Sequence, residues 1–283
     1  MAFDIVSFIL GIIATIIGGV LTNLVYERLR NRITIRRITN PGDKDFSSFL
    51  DINEKLFDEN ITSTAENFTN WLKELPKDRY YILVVKVGDR VVGIMNFDFL
   101  LKGKYIGVNL IGVDKDALTE GDSHRRFLSE TLLRQFQKIV SRELKDALGI
   151  IFEIETPRPS LSTQENRRLI ARRNLFREYA RKNGLPLYEL PIDYMFPKLS
   201  LDEDQNYKED VMKLMYIPLK KKFEHEEIYK SDLLDILKAA YLEWYGDSYV
   251  SEIEKDIEYK KYLAGILDSY KKSLPDRLAL RKL

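Results

Sequence analysis

Residues 5–26, IVSFILGIIATIIGGVLTNLVY, run without a charged side chain, and everything after them is rich in charge. A hydrocarbon core about 30 Å thick takes roughly 20 apolar helical residues to cross. The pattern therefore predicts one transmembrane helix near the N-terminus. Asp4 precedes the run, and Glu27, Arg28, Arg30, Arg32, Arg36 and Arg37 follow it. Basic flanks stay on the cytoplasmic side, which predicts a single-pass protein of the cell membrane with the bulk of the chain in the cytoplasm. A cleaved leader would want a basic start, a shorter apolar core and a small-residue cleavage site. Gly11, Thr15 and Gly19 recur every four residues. That spacing lets two membrane helices approach closely, although glycine is also simply common in such helices.

Beyond the run, short periodic segments follow one another. Residues 33–38 alternate as a strand and turn at Asn40-Pro41-Gly42-Asp43. Residues 46–57 set Phe49, Leu50, Ile52 and Leu56 at helical spacing. A second helix follows Ser63 or Thr64, carries Phe68, Trp71, Leu72 and Leu75 on one face, and ends at Pro76. YYILVVKV (80–87) and RVVGIMNFDFLL (90–101), joined at Gly88-Asp89, predict a β-hairpin. KYIGVNLIGV (104–113) is the next strand. Leu132, Leu133, Phe136, Ile139 and Val140 predict a long helix over 126–148, capped by Gly149, and IIFEIE (150–155) predicts a buried strand. Residues 165–182 read as a basic helix stopped by Asn183-Gly184. The strands 187–194 and 211–219 follow, then amphipathic helices at 226–245 and 251–271. The charged stretch 202–209 reads as a loop inside the fold.

Adjacent strands with intervening helices predict an α+β architecture with a mixed sheet. The organisation expected is a transmembrane helix at 5–26, an α+β domain at 33–220 and a helical C-terminal extension at 221–283. The extension's helices could pack back on the sheet or pair with a second copy of the chain.

Composition narrows the chemistry. Lys+Arg is 45 and Asp+Glu is 44, so no global basic field suggests nucleic acid. The arginines at 28–37 suit anionic lipid headgroups beside a span. The absence of cysteine excludes disulfides, thiolate catalysis and cysteine zinc sites. The two histidines, His124 and His225, leave little material for a metal centre or a His-based triad.

The element order resembles the GNAT N-acetyltransferase fold over residues 33–220. ARRNLFREYARKNG (171–184) resembles that family's penultimate helix, IDYMFPKL (192–199) is similar to a tyrosine-x-x-proline strand of some bacterial members, and IIFEIETP (150–157) resembles their acidic fifth strand. The helix ending LEWYG looks like a C-terminal extension of the same subgroup.

The resemblance implies acetyl-CoA as co-substrate and an amine-bearing acceptor, small molecule or protein. It also implies a phosphate-binding loop of the form Arg/Gln-x-x-Gly-x-Gly/Ala before the long helix, because a helix N-terminus favours phosphate. The equivalent stretch here is His124-Arg125-Arg126-Phe127-Leu128-Ser129-Glu130, with Phe127 and Ser129 where glycines would stand. Arg125, Arg126 and Ser129 are the candidate phosphate contacts, and the backbone of Ile111, Gly112 and Val113 would align the pantetheine arm. The family's strand-four carboxylate is replaced by Asn109, which cannot be a base.

Glu153 and Glu155 share one strand face. Glu153 in a low-dielectric cleft would gain a raised pKa and could serve as base, with Tyr194 protonating the leaving thiolate. Asp98 and Glu155, with Asn109, are candidates for holding the acceptor. Two functions follow: a membrane-anchored acyl-CoA-dependent N-acyltransferase, or a catalytically degenerate module of the same fold that binds or assembles at the membrane.

Overall fold

The computed structural model describes residues 33–57, 63–100, 104–114, 116, 121–197, 212–220, 227–246 and 253–283. The predicted span at 5–26 and the loop at 202–209 lie outside them. Among the described residues, no helix is long and apolar enough to cross a membrane.

The elements in chain order are β1 (Ile33–Ile38), α1 (Phe46–Leu56), α2 (Ala65–Glu74), β2 (Tyr80–Val87), β3 (Arg90–Leu100), β4 (Tyr105–Val113) and α3 (Gly121–Glu143). Then come β5 (Gly149–Glu155), α4 (Thr163–Lys182), β6 (Tyr188–Glu189), β7 (Met212–Pro218), β8 (Glu227–Tyr229) and α5 (Lys230–Lys238). A π-helix (Ala239–Tyr245), α6 (Ile253–Ser273), β9 (Arg277–Ala279) and β10 (Arg281–Lys282) complete the chain. Eight strands form one mixed sheet in the order β1-β2-β3-β4-β5-β7-β6-β10. The β4–β5 pair is parallel, and the other described pairs are antiparallel. This is an α+β fold with a mixed sheet covered by helices on both faces.

Alternation along the strands decides which helices cover which face. Tyr81, Leu83, Met95, Phe97, Ile106, Val108, Ile150, Phe152 and Ile154 meet Leu132, Phe136 and Val140 of α3 and Phe176 and Tyr179 of α4. On the opposite face, Ile82, Val84, Ile94 and Leu110 meet Phe49 of α1 and Phe68 and Trp71 of α2. Also on that face, Leu100, Tyr105, Ile151, Leu214 and Tyr216 meet Leu233 and Ile236 of α5, Tyr241 of the π-helix and Tyr259 and Leu263 of α6. Asp45 joins α1 to the sheet through the buried ammonium of Lys86, 2.8 Å away, and through Arg36 at 2.6 Å.

Several expectations are corrected. The helix placed at 126–148 runs over Gly121–Glu143, so it starts five residues earlier. Gly149 is the first residue of β5 rather than a helix cap. The strand expected at 187–194 pairs only at Tyr188–Glu189, because the chain leaves the sheet after Leu190. The helix expected at 226–245 opens with β8 and closes in a π-helix. Residues 221–283 do not form a purely helical appendage: β10 pairs with β6 in the main sheet, and the apolar faces of α5 and α6 are spent on it.

Gly149 lies against the ring of Tyr216, and a Cβ there would stand 2.6 Å from Tyr216 Cζ. Tyr216 is fully buried and has nowhere to go. Gly149→Ala is expected to destabilise the fold by about 1–3 kcal/mol through overpacking, read as a lowered urea midpoint with unchanged slope.

Candidate functional site: the opening between β4 and β5

The site begins where one ladder stops. β4 and β5 pair from Tyr105↔Gly149 to Val108↔Phe152 and no further. β4 nevertheless continues along β3 to Val113, and β5 continues along β7 to Glu155. The two strands diverge, and the backbone groups of β4 that point away from β3 past Val108 face no strand. The cause is local. The β3–β4 register slips between Asn96 and Phe97, which makes Asn109 the extra residue of a β-bulge. A bulge bends its strand and strengthens its twist.

Asn109 and Glu153 are the first residues beyond the last pair on each strand. Both belong to the face that carries Ile151, α1, α2 and the C-terminal helices. On that face β3 gives Ile94 to one apolar cluster and Leu100 to the other. Between them stand Asn96, fully buried, and Asp98, 8% exposed. Asn109 Nδ2 donates to Asp98 Oδ2 at 3.1 Å, and Asn96 Nδ2 donates to the Tyr80 hydroxyl. Among the described residues the side-chain oxygens of Asn96 and Asn109 accept no hydrogen bond. Buried acceptors in that state are rare and costly. The patch is thus rich in acceptors and poor in donors. Asp98 is not the solvated surface carboxylate that its sequence neighbourhood allowed.

Glu153 sits across the opening. The Tyr194 hydroxyl donates to its Oε1, and the Tyr245 hydroxyl lies 2.6 Å from each of Oε1 and Oε2. Burial pushes the Glu153 carboxyl up to about 7, against the two tyrosine hydrogen bonds that pull it down. Burial, reinforced by the nearby carboxylate, pushes both tyrosine hydroxyls well above the usual phenol range.

The C-terminal segment sets both tyrosines. Tyr194 lies in the loop after β6. There Tyr270 donates to Asp193 O at 2.6 Å and accepts from Met195 N at 2.8 Å, while Tyr241 donates to Met195 O at 2.6 Å. Tyr245 comes from the π-helix, where Gly246 N bonds to Tyr241 O, five residues back. The wider turn rotates its last residues toward the sheet, and such segments recur at functional sites. The sequence does not mark Tyr245 as a site residue, because a helical wheel drawn at 3.6 residues per turn cannot show this rotation.

The remaining candidates fall as follows. Ile111, Gly112 and Val113 lie on β4 beyond its last pair with β5, along the opening. Glu155 ends β5 and is ion-paired with Arg158. Arg125, Arg126 and Ser129 are not in a loop: they lie in the second and third turns of α3, where backbone N–H groups already bond within the helix. Arg126 pairs with Glu130 at 3.1 Å on its own helix, and Lys182 meets the same carboxylate at 3.1 Å. The amides of α3 without intrahelical acceptors are those at its start, residues 121–123. The helix begins five residues before the expected start, so the stretch 124–130 is helix rather than loop.

No family model matches the chain, and no curated protein matches it. Among solved structures, the chain is similar to a GNAT-family chain from Bacteroides thetaiotaomicron assigned as an acetyltransferase. The identity is 15%, covering 75% of this chain and 98% of that one, with a TM-score of 0.48. It is also similar to diaminobutyrate acetyltransferase from Paenibacillus lautus, solved with diaminobutyric acid and coenzyme A (15% identity, 66% and 94% covered, TM-score 0.44). A third is spermidine N-acetyltransferase from Vibrio cholerae, solved with CoA and spermine (15% identity, 66% and 96% covered, TM-score 0.41).

The raised carboxyl has a stability consequence of definite sign. A folded-state pKa near 7 against an ordinary 4.5 means that the folded protein binds this proton more tightly than the unfolded chain. The group's contribution is most favourable below about pH 4.5 and is lost as pH rises through 7, by up to about 3 kcal/mol. Glu153→Gln is expected to remove that slope, so that the variant gains on the wild type in thermal midpoint between pH 5 and 8. Parallel curves would contradict the burial. Tyr245→Phe removes one donor to the carboxylate and is expected to move the Glu153 midpoint further up, read from the carboxyl stretching band.

Proposed function

We propose that the chain is a membrane-tethered N-acyltransferase of the GNAT kind that moves an acyl group from acyl-CoA, acetyl-CoA in the simplest case, to a primary amine. The observation that carries this reading is the β4–β5 opening, with a carboxyl of pKa about 7 on one lip and an acceptor-rich patch on the other. An extended thioester arm can lie along the free edge of β4 over Ile111, Gly112 and Val113, making the hydrogen bonds that β5 has relinquished. The first turn of α3, which follows that edge on the chain after residues 114–120, suits a diphosphate.

The acceptor side fits an ammonium group. Asp98 supplies charge, and the side-chain oxygens of Asn96 and Asn109 would accept N–H bonds that they otherwise lack. Glu153, near half-ionised at neutral pH, takes a proton from the amine directly or through one water. The amine nitrogen then attacks the thioester carbon. An N–C bond forms, the C–S bond breaks, the thiolate leaves, and the second proton that the ammonium must lose passes to solvent. Tyr194 is a poor acid on its own, since its hydroxyl titrates above a thiol. Hydrogen-bonded to Glu153, it can instead relay the proton that Glu153 has just accepted to the sulfur, with no net change on the tyrosine. Tyr245 positions the carboxylate.

A second reading, a tethered module that binds without catalysis, draws on two observations. Asn109 stands where a carboxylate would be useful, and both oxygens of Glu153 are already engaged by tyrosines. The two readings part in one experiment on the full chain in detergent, with acetyl-CoA and a panel of diamines and polyamines. Glu153→Gln is expected to lower kcat by about 10²–10⁴ while leaving coenzyme A affinity nearly unchanged, and the wild-type rate is expected to rise with pH to a plateau above 7. Coenzyme A binding without turnover on any amine favours the module.

The tether is proposed from residues 5–26 and the arginines that follow. The chain is expected to resist alkaline carbonate extraction from membranes, and deletion of residues 5–26 is expected to release it.

A further inference from the structure

Arg172 reaches from a helix on one face of the sheet to an aromatic ring on the other, beside the diverging ends of β4 and β5. Its helix, α4, packs on the α3 face, where Phe176, one turn further on, stacks against Phe152 of β5 with ring centroids 4.0 Å apart. The Arg172 guanidinium nevertheless lies 5.1 Å from the ring centroid of Phe57. Phe57 follows α1, on the other face, and packs at Gly112 near the far end of β4: a Cβ on Gly112 would stand 3.3 Å from Phe57 Cζ. The side chain therefore stands between the diverging ends of the two strands, further down the gap than Glu153 and Asn109. The β5–α4 loop that fixes α4 is itself rigid. Asn166 accepts from Arg158 N at 2.9 Å and donates to Arg158 O at 2.9 Å, and Ser162 and Glu165 form a capping box.

Among the described residues this cation has no ion-paired carboxylate. The carboxylate that it senses, Glu155, is ion-paired with Arg158, and Arg168 adds like charge from the same helix. Among the described residues, none places a carboxylate within ion-pairing distance of Arg172. The guanidinium is half-buried, and burial lowers its pKa. Burying a guanidinium without an opposite charge is costly, and its planar fork suits phosphate oxygens. Helix α3 follows β4 on the chain after residues 114–120, and the amides of its first turn have no acceptor within the helix.

We infer that Arg172 is the residue of the opening that recognises the phosphate of a phosphopantetheine thioester. The assignment rests on the acyl-donor reading above and goes beyond it, because phosphopantetheine is common to acyl-CoA and to acyl-carrier proteins. Arg172 fills the gap in the free protein and pairs with the phosphate when the arm enters.

The test measures binding to the full chain in detergent by calorimetry with three probes: pantetheine, 4′-phosphopantetheine and coenzyme A. The wild type is expected to bind 4′-phosphopantetheine at least about tenfold more tightly than pantetheine, a difference of about 1.4 kcal/mol. Arg172→Gln is expected to abolish that preference while leaving pantetheine affinity unchanged, and Arg172→Lys, which keeps the charge and guards against a fold defect, is expected to restore part of it. If coenzyme A binds more tightly still in all three proteins, the nucleotide has contacts of its own and coenzyme A is the donor. Equal affinity for coenzyme A and 4′-phosphopantetheine points to a carrier-protein donor. A wild type that prefers phosphopantetheine, with Arg172→Gln keeping the preference, overturns the assignment alone. A wild type that binds none of the three overturns the acyl-donor reading and the assignment together.

Discussion

Everything distinctive about this molecule depends on two parallel strands that stop pairing. Four residue pairs hold β4 to β5, and then the bulge at Asn109 bends β4 away while β7 keeps β5 straight. An interrupted parallel ladder deep in a sheet exposes backbone donors and acceptors that folding would normally satisfy. The sheet can carry that cost because both strands remain paired on their outer edges and because α3 and α4 seal one face. Once the gap exists, the residues on its lips are fixed by alternation. Asn109 and Glu153 face the same side, toward the polar patch on β3.

The electrostatics of the lips follow from what covers them. Glu153 would be an ordinary carboxylate at the end of an edge strand. Here the C-terminal segment folds back over it and removes water, and burial outweighs the two tyrosine donors that favour ionisation. The tyrosines keep the carboxylate oriented and partly ionised in a site that would otherwise neutralise it. The C-terminal segment, from β8 to β10, is therefore part of the site and of the sheet. Its helices spend their apolar faces on Tyr105, Ile151 and Tyr216.

The strand order was legible in the sequence because YYILVVKV, NFDFL and IIFEIE carry their own periodicity. The hairpin at Gly88-Asp89 was legible because Gly88 adopts φ 62°, a conformation that suits glycine. The carboxylate Glu153 could be picked out because a charged residue alternating with Ile, Phe and Ile in a buried strand needs an explanation. What could not be read was anything set by register between distant segments. The bulge at Asn109 exists only when β4 is laid against β3. Tyr245 reaches Glu153, 92 positions away in sequence, only through a π-turn. The start of α3 was read five residues late, because GDSHR carries no apolar periodicity. That reading placed residues 125–129 at a loop, whereas they lie inside the helix.

Hydrogen–deuterium exchange of the full chain in detergent, with and without saturating coenzyme A, tests the central claim most directly. If the β4–β5 opening receives the thioester arm, the amides of residues 110–113 and 121–123 become protected on binding, while those of β1 and β2 are unchanged. Protection confined to other elements, with residues 110–113 exchanging at the same rate in both states, would contradict the account.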